Sequence, residues 1–86
     1  MDPILVSLSA SLLRLVEDQL SNNEVSPDEE LLDHFVSNGL TEAQARQALT
    51  YRDLYLMHIY LEGFTPILKG AQALRYNPHR RRFEPV

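Results

Sequence analysis

Helix-boundary signals in the middle of the chain constrain the fold more than any other feature. Ser26-Pro27-Asp28-Glu29 combines a capping box, proline at the first helical position and acids that oppose the positive end of a helix dipole. Gly39 is expected to end this helix in a left-handed conformation. Thr41-Glu42-Ala43-Gln44 forms a second capping box. The sequence therefore predicts two helices joined by a tight turn, and leaves open whether residues 41–62 form one helix or two broken near Thr50.

Apolar residues at helical spacing predict another helix near the start of the chain. Asp2 followed by Pro3 is typical of an N-cap with proline at the first helical position. The apolar positions of this helix include Leu5, Leu8, Leu12, Leu15, Val16 and Leu20. The apolar stripe is wider than a surface helix of a small monomer normally carries. We therefore expect this helix to lie centrally in the fold or to pack against another chain.

The sequence changes character after Gly63. Pro66 cannot continue a helix, because it lacks a backbone donor and clashes with the preceding turn. Residues 74–83 could form a hairpin around a proline turn, or an extended arm, which we slightly favour. The predicted fold is all-α: a compact bundle of three to four helices at residues 1–63, with a basic C-terminal arm at residues 64–86 that could form a short hairpin.

The charge distribution supports this division. Residues 1–62 contain eleven acids and three arginines, a net charge of −8, whereas residues 63–86 carry +4. The basic arm consists of Lys69, Arg75, Tyr76, Arg80, Arg81, Arg82 and Phe83. Interleaved cationic and aromatic side chains could bind an acidic partner or clamp nucleic acid; alternatively, the arm is simply solvated or pairs with the acidic residues of the same chain.

Large apolar and aromatic side chains predict a partner-binding surface. The candidates are Leu12, Tyr51, Tyr55, Met57 and Tyr60. Tyrosine and methionine favour interfaces, because they bury a large area and keep a polar or adaptable end. The three tyrosines do not share one helical face, so core packing alone is not expected to account for all of them.

The two central helices also have the outline of a helix-turn-helix, which a C-terminal hairpin would extend to a winged form. Gln44, Arg46 and Gln47 would then read bases, but the acids that begin the preceding helix disfavour contact with phosphates. DNA binding is therefore the second choice.

Residues 39–49 resemble the loop and second helix of a ubiquitin-associated three-helix module. The resemblance implies a compact helical module with a binding surface. Asn38-Gly39-Leu40 replaces the Met-Gly-aromatic loop typical of that family. Ubiquitin binding is therefore not carried over.

Catalysis is not expected. The three histidines are scattered, glycines are isolated and cysteine is absent, so the sequence predicts no metal site, cofactor or nucleophile. No apolar run reaches 18 residues and the first residues are acidic rather than basic, so we expect a cytoplasmic protein without membrane contact. The predicted function is a small interaction or regulatory module, such as an adaptor, accessory factor, chaperone or inhibitor, with a protein partner, a homodimer or both.

Overall fold

Five short α-helices precede a two-stranded antiparallel sheet in residues 1–85, the part of the chain described by this computed structural model. The helices are α1 (Ala10–Asn22), α2 (Asp28–Ser37), α3 (Glu42–Leu49), α4 (Arg52–Met57) and α5 (Pro66–Lys69). A 3₁₀ turn at Gly70–Gln72 leads into strands β1 (Leu74–Asn77) and β2 (Arg82–Pro85). The prediction of a mostly helical fold is confirmed. The finer prediction of an all-α bundle with three to four helices is corrected by the sheet and the fifth helix.

The predicted helix start at Asp2 and Pro3 is wrong. Residues 3–8 form turns and a bend, in which the Asp2 Oδ1 atom accepts hydrogen bonds from the backbone N–H groups of Ile4 (2.8 Å) and Leu5 (3.2 Å). Helix α1 begins only after Ser9, whose Oγ accepts from the N–H of Leu12 at 3.2 Å. The sequence therefore holds two capping signals, and the second one starts the helix.

The predicted capping box at Ser26 is also wrong, although α2 begins where expected. Its N-cap is Pro27 and no side chain caps it. The Ser26 hydroxyl is instead bound by the side-chain amide of Asn23 at 3.1 Å. The serine side chain therefore stabilises the loop between α1 and α2 instead of capping α2.

The turn between α2 and α3 confirms the sequence prediction. Gly39 has φ of 118°, its N–H donates to the carbonyl of Val36 (3.1 Å), and Leu40 N–H donates to the carbonyl of Phe35 (3.1 Å). This pair of bonds is the Schellman motif, which favours glycine at the left-handed position. The capping box between Thr41 and Gln44 is present in both directions, at 3.1 and 2.9 Å.

Residues 41–62 form two helices and an extended segment. The break lies at Thr50, whose hydroxyl donates to the carbonyl of Gln47 at 2.6 Å. This local bond competes with regular helical pairing. After α4, residues 59–61 run alongside β1, where Tyr60 and Arg75 form an isolated antiparallel bridge.

The hydrophobic core draws side chains from residues between Leu5 and Ile67. Its buried members are Leu5, Val16, Leu20, Leu31, Phe35, Leu40, Ala45, Ala48, Tyr55 and Ile67. The N-terminal segment is attached to α5 through a hydrogen bond from the Asp2 N–H to the carbonyl of Ile67, 2.8 Å long. The Cα radius of gyration is 12.8 Å, close to the ~12 Å expected for a compact chain of this length.

Arg52 holds α4 against the loop before α2. The buried guanidinium donates to the carbonyls of Asn23 (2.9 Å) and Ser26 (2.5 Å), and pairs with the Asp28 carboxylate at 2.7 Å. Its Nε is a buried donor without a partner among the described residues. All three groups lie 24–29 residues away in the sequence, so this side chain fixes the arrangement of the helices.

Residues 74–85 form a hairpin, which corrects our preference for an extended arm. Tyr76 pairs with Phe83 and Arg75 with Glu84 in the β1–β2 register. At the tip, Asn77 Oδ1 accepts from the N–H groups of His79 (3.0 Å) and Arg80 (3.3 Å). The asparagine therefore supplies the turn closure that makes a hairpin of this segment.

Candidate interaction surface

A third row of backbone, residues 59–61, lies beside the two-stranded C-terminal sheet. Residues 59–61 add to the free edge of β1 through hydrogen bonds from the Leu61 N–H to the carbonyl of Leu74 (2.9 Å) and from the Tyr76 N–H to the carbonyl of Ile59 (2.7 Å). This pattern places Ile59 opposite Tyr76 and Leu61 opposite Leu74. Successive side chains in extended backbone point to opposite faces.

The register divides the sheet into two chemically distinct faces. One face, here called the apolar sheet face, contains Ile59, Leu61, Leu74, Tyr76, Phe83 and Pro85. The other, the polar sheet face, contains His58, Tyr60, Arg75, Asn77, Arg82 and Glu84. No member of the apolar sheet face is charged.

The apolar sheet face is open to solvent at several positions. Ile59 is 68% exposed and Phe83 is 37% exposed, and neighbouring Met57 is 73% exposed. The Tyr76 and Phe83 rings pack edge to face with centroids 5.4 Å apart. Ile59, Tyr76 and Phe83 form one cross-strand row, in which half-buried Tyr76 lies between the two exposed side chains. Clustered apolar side chains of this kind are typical of an interaction site, whereas single exposed apolar residues are ordinary.

Interactions within the chain organise the polar sheet face. Asn77 Nδ2 donates to Glu84 Oε1 at 2.5 Å, and Arg80 and Arg82 pair with Glu84 Oε2 at 3.2 and 3.3 Å. The hydrogen bond from Asn77, reinforced by both arginines, lowers the pKa of the Glu84 carboxyl. Two of the tip arginines are thus oriented by the hairpin itself.

A groove of about 530 Å³ lies between α1 and residues 55–60, beside the sheet. Tyr55 donates its hydroxyl hydrogen to Glu17 Oε2 at 2.5 Å, and its ring centroid lies 5.7 Å from that of Tyr60. Burial, together with the bond to Glu17, raises the pKa of the Tyr55 phenol. The phenol therefore remains a protonated donor, and Met57 and Ile59 also line this groove.

The structure separates the predicted partner-binding residues into two groups. Tyr55, Met57 and Tyr60 meet around the groove, where Tyr55 is buried, Tyr60 is half-buried and Met57 is exposed. Leu12 is half-buried against the core. Tyr51 also packs on the core, and its hydroxyl donates to Asp2 Oδ2 at 2.6 Å.

The predicted basic arm is likewise distributed over several environments. Lys69 Nζ lies 5.6 Å from the centroid of the Phe64 ring. Arg75 lies on the polar sheet face, with NH1 3.5 Å from His58 Nε2. Tyr76 and Phe83 belong to the apolar sheet face. The remaining arginines, Arg80, Arg81 and Arg82, are exposed at or beside the hairpin tip.

Our sequence reasoning missed Ile59, Leu61, Leu74 and Pro85. A signal for them was present, since apolar residues alternate with polar ones at 59–61, 74–76 and 83–85. Alternation of period two is typical of half-buried strands. Each segment is only three or four residues long, so the signal becomes clear only when all three are considered together.

The side chains proposed to read DNA are bound within the chain. Gln44 Nε2 donates to Ser7 Oγ at 3.0 Å, and Gln47 Nε2 donates to Asp2 Oδ2 at 2.7 Å. Arg46 pairs with Glu42 at 2.7 Å, with both side chains exposed.

Comparisons with family models, curated proteins and solved structures gave no significant match. Within residues 1–85, no three or more His, Asp or Glu side chains are grouped so that they could hold a metal ion. None of the helices in this range is both long and apolar enough to span a membrane.

Proposed function

We propose that this chain is a non-catalytic protein-interaction module with a regulatory or accessory role, which binds its partner through the apolar sheet face in the cytoplasm. The observation that carries the proposal is the 68% exposure of Ile59 on a sheet face with no charged side chain. Phe83 and Met57 extend the exposed apolar area. Covering these side chains would remove apolar surface from water, the main driving force of protein association.

The exposed apolar side chains would supply part of the driving force for binding. Full burial of a large apolar side chain contributes roughly 1.5–3 kcal/mol. Ile59 and Met57 have most of their surface still to bury, and Phe83 has more than a third. These contributions must offset the loss of translational and rotational freedom on association, which is several kcal/mol. A weak to moderate complex is therefore expected.

The charges support a protein partner over DNA. The helical body, residues 1–62, has a net charge of −8. The glutamine side chains of α3 that would read bases are bound to Ser7, Thr41 and Asp2. Two of the tip arginines share Glu84. This arrangement leaves a small positive region next to an apolar face, which fits a partner that combines apolar and acidic groups.

Site-specific photo-crosslinking in the native host tests this proposal. A photoreactive phenylalanine analogue at position 83 should give covalent protein adducts. The matched control places the same analogue at Val25, which is 94% exposed but lies in the loop between α1 and α2. Adducts from position 83 and none from position 25 are expected. Equal yields from both positions, or no adduct from position 83, would contradict the proposal.

A further inference from the structure

We infer that the apolar sheet face is covered by a second copy of this chain. The two copies pack face to face about a two-fold axis that lies in the plane between the sheets and runs perpendicular to the strands. This inference rests on the proposed function and names the partner. In such a dimer each copy uses the same surface, so the surface must be complementary to itself. Three features of the face meet this requirement.

The first feature is the absence of charge on the face. All six side chains, defined above, are uncharged, and five of them contain only carbon and hydrogen. Packing two such faces together buries no unpaired charge, which would otherwise cost several kcal/mol. The hydroxyl of Tyr76 is the one polar side-chain group on the face, and tyrosine is common at interfaces for this reason.

The second feature is the opposite charge at the two ends of the face. The hairpin tip carries His79, Arg80 and Arg81, all exposed, while Glu62 is exposed at the far end, directly after Leu61. A two-fold axis perpendicular to the strands places the tip of one copy beside Glu62 of the other. An axis along the strands would instead bring the two basic tips together, which is unfavourable.

The third feature is the shape of the two cross-strand rows. The row nearer the tip contains Ile59, Tyr76 and Phe83, and the farther row contains Leu61, Leu74 and Pro85. The perpendicular axis packs the bulky row of one copy onto the smaller row of the other. Packed sheets lie about 10 Å apart, and alternating large and small side chains fill this space well.

Six side chains per copy form a small interface, so the dimer should be weak and reversible.

Sedimentation velocity over a concentration series tests the inference with the full chain. The wild type should change from monomer to dimer as concentration rises, without larger species. Ile59→Asp introduces a charge at a position that is already 68% exposed, so the fold should be retained, which circular dichroism can verify. The dimer dissociation constant should rise at least about tenfold, equivalent to 1.4 kcal/mol. The matched control Val25→Asp should leave it unchanged.

A charge-reversal cycle tests the orientation of the axis. Glu62→Arg and Arg81→Glu should each weaken the dimer several-fold, and the double variant should recover most of the wild-type affinity. A double variant weaker than both single variants would overturn the perpendicular axis. Arg81 is chosen because Arg80 and Arg82 already pair with Glu84.

The outcomes separate this inference from the proposed function. A wild type that stays monomeric at all concentrations, but gives adducts with a different protein from position 83, overturns the second copy and keeps the interaction module. A dimer unaffected by Ile59→Asp overturns the inferred surface. A monomer without adducts from position 83 overturns both proposals. Growth into larger oligomers would also overturn the two-fold interface, because a closed dimer cannot extend.

Discussion

The helical body buries its largest apolar side chains completely, whereas the large apolar side chains of the C-terminal sheet are half-buried or exposed. In the body, Phe35, Leu20 and Leu31 are 0–1% exposed, and Arg52 and Asp2 are held by several hydrogen bonds each. In the sheet, Ile59 and Phe83 remain 68% and 37% exposed although their backbone is fully organised. Side chains of the same type therefore serve folding in one region and, on our proposal, binding in the other.

We propose that this small chain separates stability from recognition. The body obtains its stability from burial and from long-range polar contacts such as those of Arg52. The sheet is held by backbone pairing to residues 59–61 and by the Asn77 turn. Substitutions in the body should therefore change the free energy of unfolding, and substitutions on the apolar sheet face should change association.

The largest expected effect contrasts two phenylalanines. Phe35→Ala removes a fully buried ring and should lower the free energy of unfolding by about 3–5 kcal/mol. Phe83→Ala should lower it by only about 1–2 kcal/mol, because more than a third of the residue is already exposed. Urea denaturation at low protein concentration measures both. Similar losses for the two variants would show that the sheet face belongs to the folding core.

Two arginines give the next contrast. Arg52→Met leaves the carbonyls of Asn23 and Ser26 without their donor and should cost about 2–3 kcal/mol. The control Arg46→Met removes only an exposed pair with Glu42 and should cost at most about 0.5 kcal/mol. Denaturation curves measure both costs. A cost for Arg46→Met equal to that for Arg52→Met would contradict the assigned role of Arg52.

Part of the pH dependence of stability should originate in the helical body, at Asp2. Burial opposes its ionisation, but hydrogen bonds from Tyr51, Gln47 and two backbone N–H groups outweigh burial and lower the pKa of Asp2. The stabilisation is present above the unfolded pKa of about 3.9 and is lost as pH falls through the lower folded value. Unfolding free energies measured between neutral and acid pH should fall, and Asp2→Asn should make this fall smaller.

Tyr51 should produce the corresponding effect at high pH. Burial and the hydrogen bond to Asp2 raise the pKa of Tyr51 to about 12. Its stabilisation is therefore complete below the unfolded value of about 10 and is lost as pH rises through 12. Tyr51→Phe should make the alkaline loss of stability smaller, as measured by denaturation at high pH; the part that comes from Tyr55 should remain. An unchanged slope in Tyr51→Phe would contradict the contact with Asp2.

The smallest expected effect concerns the hairpin tip. Arg81 has φ of 52°, a left-handed conformation that costs a non-glycine residue roughly 1–2 kcal/mol. Arg81→Gly should stabilise the hairpin by a few tenths of a kcal/mol to about 1 kcal/mol, after the greater flexibility of glycine is offset. Slower amide hydrogen exchange in β1 and β2 would show it. Arg80→Gly, at a residue without a positive φ, should have the opposite sign.

Signals confined to a few neighbouring residues allowed part of the fold to be predicted. The Gly39 turn and the Thr41 capping box depend only on adjacent backbone and side chains, and both are confirmed. At Asp2 the side chain does accept from the next backbone N–H groups, but the turn that it caps does not continue as a helix; its other oxygen is bound by Gln47 and Tyr51. At Ser26 the hydroxyl is bound by Asn23 instead of capping α2. The contacts of Asp2 reach residues 47 and 51, which no pattern within one helix or loop reveals.

The candidate interaction surface could also be predicted only in part, because it joins segments that are distant in the sequence. Met57, Tyr60, Tyr76 and Phe83 were selected for their residue type, and the structure places them on or beside the sheet. Ile59 was missed because its importance depends on pairing with β1, which joins segments separated by about fifteen residues. Sheet pairing between distant short segments has only a weak signal in any one of them.

Methyl NMR with a soluble paramagnetic agent tests the central claim most directly. In dilute samples, the Ile59 methyl signals should broaden strongly, as should those of Val25, while those of buried Ile67 should not. In concentrated samples, Ile59 should become protected while Val25 stays broadened. Protection of Ile59 equal to that of Ile67 in the dilute sample, or equal broadening of Ile59 and Val25 at every concentration, would contradict the account.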